Sequence, residues 1–505
     1  MADNLFTRIV QAAADLDRNF ILPPGRAPHS YGDAFATAAR FAHVLTRRGV
    51  KSGDRVAVQV EKSPQALFLY LACLRVGAIY LPLNTDYTAN ELAYFATDAE
   101  PQIFVCSEKN REKIAGFFPA ARILTLSDDG LAGSLMQEAA DMPAQFSDAP
   151  MAMSDLAAIL YTSGTTGRSK GAMLSHGNLF SNASSLKQAW RYRQDDVLLH
   201  ALPIFHTHGL FVATNTTLLS AASMIFLPKF YLDAVFAALP DARVMMGVPT
   251  FYTRLLSDPR LNKDSTRTIR LFISGSAPLL AETHQEWQRR TGHAILERYG
   301  MTETNMNTSN PYEGVRRPGS VGLPLPGVEL RITDKDCKPV TQGDIGMVEV
   351  RGPNVFSGYW RMPDKTAAAF REDGFFITGD LGAVDGDGYV HIVGRGNDMI
   401  ITGGFNVYPK EVESLIDSLA GVEESAVVGL PHKDFGEGVT AFVVAKPGAT
   451  ITEAAIMAAL GGQLAKFKLP KRVIIVEKLP RNSMGKVQKS LLRNEYRGLY
   501  APKES

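Results

Sequence analysis

The sequence predicts an α/β protein: a large N-terminal domain, built of stacked α/β subdomains and a β-rich subdomain, precedes a small α+β C-terminal domain. Apolar strands alternate with helices up to about residue 300, and short alternating strands separated by Gly, Pro and Asp turns follow from about Gly319. A compact helix–strand segment begins after GRGND, residues 394–398. The chain has 505 residues, too many for one small core, so we divide it into residues 1–396 and 397–505.

The composition is that of a soluble globular protein, with 45% hydrophobic residues, 21% charged residues and a formal net charge of +1. This near-neutral balance disfavours a nucleic-acid partner that binds through bulk charge. The three cysteines are widely separated, which indicates a reducing compartment and neither a disulfide framework nor a zinc site. The first residues have no signal-peptide character, and no apolar run reaches the roughly 18 to 20 residues that span a bilayer. We therefore expect a cytoplasmic enzyme without membrane or nucleic-acid partners.

The first third of the chain predicts an α/β scaffold. Apolar residues recur at helical spacing from Leu5 to Ala13, and Tyr31–Thr46 predicts a second helix. Arg55–Val60 and Ala78–Pro82 have the apolar character of strands, and Pro64–Arg75 between them has that of a helix. A strand, a helix and a strand over so short a stretch form a parallel βαβ unit.

The motif YTSGTTGRSKG, Tyr161–Gly171, directly follows the apolar run Leu156–Leu160. Its glycines let backbone N–H groups approach an anion, its hydroxyls add donors, and Lys170 adds a positive charge. Gly164, Gly167 and Lys170 are evenly spaced, whereas a Walker loop needs four residues between its glycine and Gly-Lys-Ser/Thr. The motif therefore predicts a strand that ends in a phosphate-binding loop of another kind.

Two further loops follow apolar strands. In FHTHG, residues 205–209, the two histidines lack a third ligand at a spacing useful for a metal, so we expect His206 to shape a pocket. GSAP, residues 275–278, follows the apolar strand Leu271–Ser274. Because nucleotides bind outside the carboxyl ends of parallel strands, we expect the GSAP turn to lie beside the phosphate loop.

Three later motifs carry polar groups suited to a nucleotide. ERYGMTET, residues 297–304, combines an aromatic ring for a base, hydroxyls for phosphate and a carboxylate for a cation. In FITGD, Asp380 follows a glycine turn, where its carboxylate can accept the hydroxyls of a ribose. PRNSMGK places Lys486 directly after a glycine on a polar loop, so its amine is mobile and reachable.

These motifs resemble, in the same order, those of the adenylate-forming superfamily, which includes acyl-CoA synthetases, luciferases and the adenylation domains of peptide synthetases. The resemblance rests on YTSGTTGRSKG, GSAP, YGMTET, TGD, GRGNDMIITGGFNVYPKEVE and PRNSMGK, and it covers nearly the whole chain. It implies that a carboxylate attacks the α-phosphate of ATP to give acyl-AMP and pyrophosphate. Coenzyme A then displaces AMP, after a mobile C-terminal domain has rotated about Asn397.

The resemblance also implies roles for individual residues. Lys486 would bridge the carboxylate and the α-phosphate, and Thr302 would contact that phosphate. Glu303, together with Thr162, would hold Mg²⁺. Acylation of Lys486 would remove its charge, so we also hypothesise reversible regulation there. The residues implied for coenzyme A are Gly403 and Gly404. The residues implied for ATP are Thr162, Ser163, Gly164, Thr165, Thr166, Gly167, Lys170, Ser276, Ala277, Tyr299, Gly300, Met301, Asp380 and Arg395.

Polar residues at the acyl end of the nucleotide site predict the acid. Arg298 directly precedes Tyr299, and a buried arginine needs an anionic partner, which a second carboxylate on the substrate would supply. His206 and Ser276 lie at strand ends that should converge there, and Arg254 is a further candidate. PIFHTHGL, GVPTFYTRL, SGSAPL and ERYGMTETNMNTSNPYEG resemble malonyl-CoA synthetases. The predicted acid is therefore malonate, with methylmalonate as an accepted analogue.

The sequence leaves alternatives open. A medium-chain or aryl acyl-CoA synthetase would share every nucleotide motif and differ only around the candidate acyl residues. A stand-alone adenylating enzyme would load a carrier protein instead of free coenzyme A. An adenylate-binding sensor without chemistry is disfavoured because Lys486, Glu303 and Thr302 are all present. Arg298 could instead form an ion pair with Glu297 or another acid.

Overall fold

The computed structural model describes residues 3–162, 169–403, 405–461, 463–482 and 485–501. Some of the predicted site residues lie outside these ranges, namely Ser163, Gly164, Thr165, Thr166, Gly167 and Gly404.

The strands are β1 (Asn19–Leu22), β2 (His29–Ser30), β3 (Arg55–Gln59), β4 (Ile79–Pro82), β5 (Ile103–Cys106), β6 (Ile123–Thr125), β7 (Leu156–Thr162), β8 (Lys170–Ser175), β9 (Val197–His200), β10 (Ser223–Phe226), β11 (Val244–Gly247), β12 (Leu271–Ser274), β13 (Leu296–Met301), β14 (Asn305–Ser309), β15 (Leu323–Pro324), β16 (Glu329–Thr333), β17 (Gly346–Arg351), β18 (Phe376–Val384), β19 (Val390–Arg395), β20 (Ile400–Thr402), β21 (Phe405–Val407), β22 (Val422–His432), β23 (Gly436–Ala445) and β24 (Arg472–Ile475).

The α-helices are α1 (Leu5–Ala12), α2 (Tyr31–Arg47), α3 (Pro64–Val76), α4 (Ala89–Ala99), α5 (Arg111–Ala115), α6 (Ser134–Ala139), α7 (His176–Ala189), α8 (Thr214–Leu219), α9 (Leu232–Ala238), α10 (Pro249–Leu256), α11 (Ala281–Thr291), α12 (Pro363–Ala369), α13 (Pro409–Asp417), α14 (Glu453–Leu460) and α15 (Lys489–Glu495). A π-helical turn, His208–Ala213, leads into α8.

The helix α3 shows how local sequence fixes an element of the core. The Ser63 hydroxyl accepts from the Ala66 amide, Pro64 opens the first turn, and Gly77 ends the helix at φ +75°. Every residue between these signals is buried, which is why the segment is apolar around its whole circumference instead of along one stripe. With β3 and β4, α3 forms the predicted parallel βαβ unit.

Two large sheets position the site. The six-stranded sheet has the order β6-β5-β3-β4-β7-β8 and is parallel except for β8, which runs antiparallel to β7. The nine-stranded sheet has the order β15-β14-β13-β12-β11-β9-β10-β1-β2, and its strands from β1 to β13 along this path are parallel. The loops after β9, β11, β12 and β13 therefore leave the same edge of the sheet.

A four-stranded antiparallel sheet, β16-β17-β18-β19, forms the predicted β-rich subdomain. The C-terminal segment has its own sheet, β21-β20-β23-β22 with β24 beside β23, and its own buried core around Val412, Ile416 and Val439. These features confirm the predicted fold class. The predicted division of the chain at Asn397 stays a prediction.

The structure departs from two expectations about local structure. Asp380 lies inside strand β18 and not after a turn, although Gly379 before it does have a left-handed φ of +74°. The sequence also predicts a helix from Thr452 to Ala465, but the helix ends earlier, at Leu460, since Gly461 and Gly462 follow it directly in the sequence.

Candidate active site

Lys170, at the described end of the phosphate motif, is connected to the buried carboxylate of Glu303 through Tyr359. Thr162 ends β7 and pairs with Lys170, which opens β8. The Lys170 ammonium lies 4.1 Å from the centroid of the Tyr359 ring, and the Tyr359 hydroxyl donates to Glu303 Oε1 over 3.0 Å. The structure thus brings Lys170 and Glu303, far apart in sequence, to the two sides of one tyrosine.

Glu303 lies in the turn between β13 and β14. This hairpin requires a glycine, because a Cβ on Gly300 would lie 1.8 Å from the Asn305 carbonyl oxygen. Burial raises the pKa of the Glu303 carboxyl, while the charges of Arg395 and Lys170 act in the opposite direction. Among the described residues Glu303 forms no ion pair, so a divalent cation would stabilise its charged form.

Asp380 and Arg395 form the nucleoside end of the site. The two residues are directly paired across β18 and β19, with Arg395 Nε 2.8 Å from Asp380 Oδ1. The Tyr299 hydroxyl donates to Asp380 Oδ2, and Arg395 Nη1 donates to the Thr378 carbonyl over 3.2 Å. Burial is the largest single influence on the pKa of Arg395 and lowers it, but Asp380 and the neighbouring acidic groups together outweigh burial and raise the pKa of the guanidinium. A buried carboxylate is thus held in a fixed orientation, with further lone pairs able to accept from hydroxyls.

Arg298, His208 and Ser276 form the acyl end. His208 Nδ1 lies 3.1 Å from Ser276 Oγ, and Ser276 has a left-handed φ of +72°. Burial and the charge of Arg298 lower the pKa of His208, which keeps its ring neutral. Arg298 is only 3% exposed, and its Nε and Nη2 have no hydrogen-bond partner among the described residues. Burial lowers the pKa of Arg298, to about 9, as expected for a cation without a counterion.

The two other predicted acyl residues, His206 and Arg254, make no contact with Ser276 or Arg298 that the described residues show. His206 is half-buried, and burial lowers its pKa to about 4. The residue that contacts Ser276 is His208, two positions on. Arg254 is exposed on α10, whereas Tyr252 on the same helix is buried and donates to the Ile273 carbonyl. Acyl roles for His206 and Arg254 stay predictions.

From the sequence, His208, Tyr359 and Gly275 received no role of their own, although FHTHG contains His208 and GSAP contains Gly275. The motif FHTHG contains two histidines, His206 and His208, and the sequence does not indicate which of them contacts the GSAP turn. Tyr359 lies outside the recognised motifs and carried no signal.

The C-terminal domain contacts the N-terminal domain through the loop that carries Lys486. A Cβ on Gly485 would lie 3.3 Å from the Thr250 side chain at the start of α10, so the lysine loop touches the N-terminal domain. Lys486 keeps part of its side chain accessible, yet desolvation and then the charge of Arg395 lower the pKa of its amine, against the opposing effect of Asp380. Lys446 also forms an ion pair of 2.9 Å with Glu282 on α11. The charges of Asp380 and Arg395, the nucleoside pair, thus act on the Lys486 amine.

The remaining predicted residues are described without a contact that tests their roles. Thr302 and Met301 are half-buried at the hairpin, and Ala277 is half-buried at the GSAP turn. Gly403 has φ +57° in the hairpin between β20 and β21. No helix in the described ranges is long and apolar enough to cross a membrane. No group of three or more His, Cys, Asp or Glu side chains that could hold a metal occurs there either.

Comparison with protein families gives two matches. The AMP-binding enzyme family matches residues 10–360, and the AMP-binding enzyme C-terminal domain matches residues 411–486. The chain belongs to the AMP-binding enzyme family. This membership confirms the predicted adenylate-forming superfamily and identifies the chain as an AMP-forming ligase that uses ATP.

Several members of this family are similar along most of the chain. A malonate–CoA ligase from Arabidopsis thaliana is 32% identical, over 96% of this chain and 87% of its own length. A feruloyl-CoA synthase from Amycolatopsis is 36% identical, over 92% of this chain and 94% of its own. The crystal structure of ATP-bound MatB from Rhodopseudomonas palustris is 60% identical, with a TM-score of 0.97, over 99% of this chain and 100% of the other.

Proposed function

We propose that this AMP-binding enzyme joins malonate to coenzyme A through a malonyl-AMP intermediate, releasing pyrophosphate and then AMP. One observation carries the choice of acid: two nitrogens of the buried Arg298 guanidinium, Nε and Nη2, have no hydrogen-bond partner among the described residues. A buried, unpaired cation is costly, and a substrate carboxylate supplies both the missing charge and the missing acceptors. The acid therefore carries two carboxylates, one for ATP and one for Arg298.

The ion pair of Arg298 with Glu297 is not supported. Glu297 Oε1 lies 3.7 Å from His284 Nδ1 and accepts from the Gly319 amide. Arg298 and Glu297 are consecutive residues of strand β13, whose side chains project to opposite faces. The guanidinium thus remains available to a ligand.

Identity to the two curated relatives does not rank the candidate acids, because the feruloyl-CoA synthase is at least as similar to this chain as the malonate–CoA ligase. The side chains at the acyl end favour malonate. An aryl or medium-chain acid would leave Arg298 without an anion, which is a larger penalty than the loss of one apolar contact. Malonate is short enough to reach both Arg298 and the nucleotide. Methylmalonate adds one methyl group, which a pocket of this kind discriminates by only about 1 to 3 kcal/mol.

The other residues suit the attack of a carboxylate on the α-phosphate of ATP. Both reactants are anions, so catalysis depends on cations that align them and neutralise charge as it develops. Lys486 is the residue that approaches from the C-terminal domain, and Lys170 belongs to the phosphate loop. Asp380 orients the ribose. Glu303 would hold Mg²⁺, which binds proteins through one or two carboxylates plus substrate phosphates and would neutralise phosphate charge. Thr162 is the second residue that we assign to Mg²⁺ binding.

The proposal includes a site for coenzyme A. After pyrophosphate leaves, the loop that contains Gly403 and Gly404 would take the place of Lys486 and admit the thiol.

The proposal also includes a cytoplasmic location and regulation at Lys486. The location is supported by three free cysteines, Cys73, Cys106 and Cys337. Regulatory acylation of Lys486 is supported by its exposed side chain and by the lowered pKa of its amine, and the lowered pKa favours the neutral, nucleophilic form. Intact-peptide mass spectrometry of the protein from cells tests that modification.

Product analysis tests the function. Purified enzyme with malonate, ATP, Mg²⁺ and coenzyme A should yield equimolar malonyl-CoA and AMP, and omission of coenzyme A should leave malonyl-AMP bound. A phosphopantetheinylated carrier protein, offered in place of coenzyme A, provides the control. Acylation of the carrier without formation of malonyl-CoA would contradict the proposal.

A further inference from the structure

Lys62 is a buried lysine that joins the two large sheets. It follows β3 of the six-stranded sheet and is 8% exposed. Its ammonium lies 2.9 Å from His200 Nδ1 and donates to the His200 carbonyl over 2.7 Å, at the end of β9 in the nine-stranded sheet. It also lies 4.2 Å from the centroid of the Phe226 ring. The partners of the ammonium are two neutral acceptors and one aromatic face.

A lysine in this position is not explained by packing. Burial lowers the pKa of Lys62 well below its ordinary value, and within the described ranges no carboxylate pairs with it. An apolar side chain of similar length would fill the same space without the cost of removing a cation from water. The ammonium therefore has a use that depends on its hydrogen bonds.

The Gly209 carbonyl fixes the tautomer of His200. A carbonyl oxygen only accepts, so Nε2 donates to it over 2.9 Å, and Nδ1 of the neutral ring accepts from Lys62. The same carbonyl also accepts from Thr214 Oγ1. Burial and the adjacent charge of Lys62 both lower the pKa of His200, which keeps the ring neutral. Lys62 thus holds Gly209 through one oriented ring.

Gly209 lies in a turn whose first residue faces the acyl end of the site. The π-helical turn begins at His208, and a Cβ on Gly209 would lie 2.0 Å from the Pro203 carbonyl oxygen. Turns of this type are rare and occur mostly at functional sites. His208, the neighbour of Gly209, is the residue that contacts Ser276 and is influenced by the charge of Arg298.

We propose that Lys62 is a positioning residue for recognition of the acid, because through His200 and the Gly209 carbonyl it holds His208 beside Arg298. The inference rests on the proposed function and extends it to two residues that do not touch the substrate. With the relay intact, His208 and Arg298 together bind the distal carboxylate. Without the hydrogen bonds from Lys62 through His200 to Gly209 the turn shifts. The kcat/KM for a dicarboxylic acid then falls more than that for a monocarboxylic acid, which makes no contact with His208 and Arg298 through a distal carboxylate.

The test compares malonate with butyrate in ATP–pyrophosphate exchange. Lys62→Met removes the ammonium and keeps the chain length, and a displaced acyl turn should lower kcat/KM for malonate by about 10²-fold, mainly through KM. The KM for ATP and kcat/KM for butyrate should change by less than about threefold, since neither depends on the relay. Equal losses for malonate and butyrate would indicate a merely structural role and overturn the proposal.

A matched pair at His200 keeps the proposal testable if Lys62→Met does not fold. In His200→Gln the amide nitrogen can still donate from near the position of Nε2, whereas in His200→Asn it stops short of Gly209. The selectivity for malonate over butyrate should therefore survive in His200→Gln and fall in His200→Asn. Equal selectivity in the two variants would overturn the relay. A wild-type enzyme without preference for malonate would instead refute the proposed function, so the two failures are distinguishable.

Discussion

The guanidinium of Arg298 occupies the space that a side chain on Gly275 would need. A Cβ placed on Gly275 would lie 2.4 Å from Arg298 Cζ and 2.4 Å from Nη1. Gly275 is the first residue of the GSAP turn, and it directly precedes Ser276, which contacts His208. The glycine therefore belongs to the acyl site, because its missing side chain lets the cation lie against the backbone.

Gly275→Ala should displace the Arg298 guanidinium without adding or removing a charge. We expect kcat/KM for malonate to fall by about 10²-fold, because a group that binds a reacting molecule loses its alignment when moved by an ångström. The KM for ATP should change little. Gly386→Ala is the matched control, since nothing lies within 4 Å of a Cβ at that position. An unchanged kcat/KM for malonate in Gly275→Ala would contradict the assignment of Arg298 to the acid.

The example shows what the sequence could and could not predict. Motifs spaced along the chain predicted the fold class and the strand Leu271–Ser274, and they singled out Arg298, whose role stays a prediction. They did not reveal that the Glu297 carboxylate lies next to His284, because the partner of each side chain depends on the face of β13 to which it projects. His208, and not His206, contacts Ser276, and it does so where a rare π-helical turn begins.

Tyr359 links Lys170 to Glu303, and its hydroxyl can be removed while its ring is retained. Tyr359→Phe removes a hydrogen bond to a carboxylate, which is worth about 1.5 to 3 kcal/mol. We expect roughly a tenfold fall in kcat/KM at limiting Mg²⁺, because Glu303 is held less firmly in its metal-binding position. Excess Mg²⁺ should recover most of that activity, as measured by pyrophosphate exchange over a Mg²⁺ titration. A loss that is independent of Mg²⁺ would argue against Glu303 as the metal residue.

Lys486 should matter for one half-reaction and not for the other. Lys486→Ala should slow formation of malonyl-AMP by about 10²-fold or more, since the variant lacks the cation that bridges carboxylate and phosphate. The variant should still convert preformed malonyl-AMP and coenzyme A to the thioester. Single-turnover measurements of each half-reaction decide this, with the exposed Lys478→Ala as control. Equal losses in both half-reactions would contradict the two-state use of the C-terminal domain.

His176 predicts how stability depends on pH. Both of its ring nitrogens are buried without a hydrogen-bond partner in the described parts of the chain, and burial lowers its pKa to about 4. Below about pH 6.5 the unfolded chain therefore binds a proton that the folded protein does not, and stability is lost as pH falls from about 6.5 to about 4.

His176 should lower the free energy of unfolding by about 3 kcal/mol as pH falls over this range. Chemical denaturation of wild-type protein and His176→Gln at several pH values measures it. The variant should lose less stability than the wild type on acidification. Parallel curves for the two proteins would show that His176 does not titrate in this way.

The preference of the wild-type enzyme for malonate over butyrate tests the central claim most directly. Butyrate has a similar size and lacks the distal carboxylate, so it would leave the buried Arg298 unpaired. ATP–pyrophosphate exchange should give kcat/KM for malonate about 10⁴-fold above that for butyrate, as for other sites built to pair a buried polar group. Comparable values for the two acids would contradict the account.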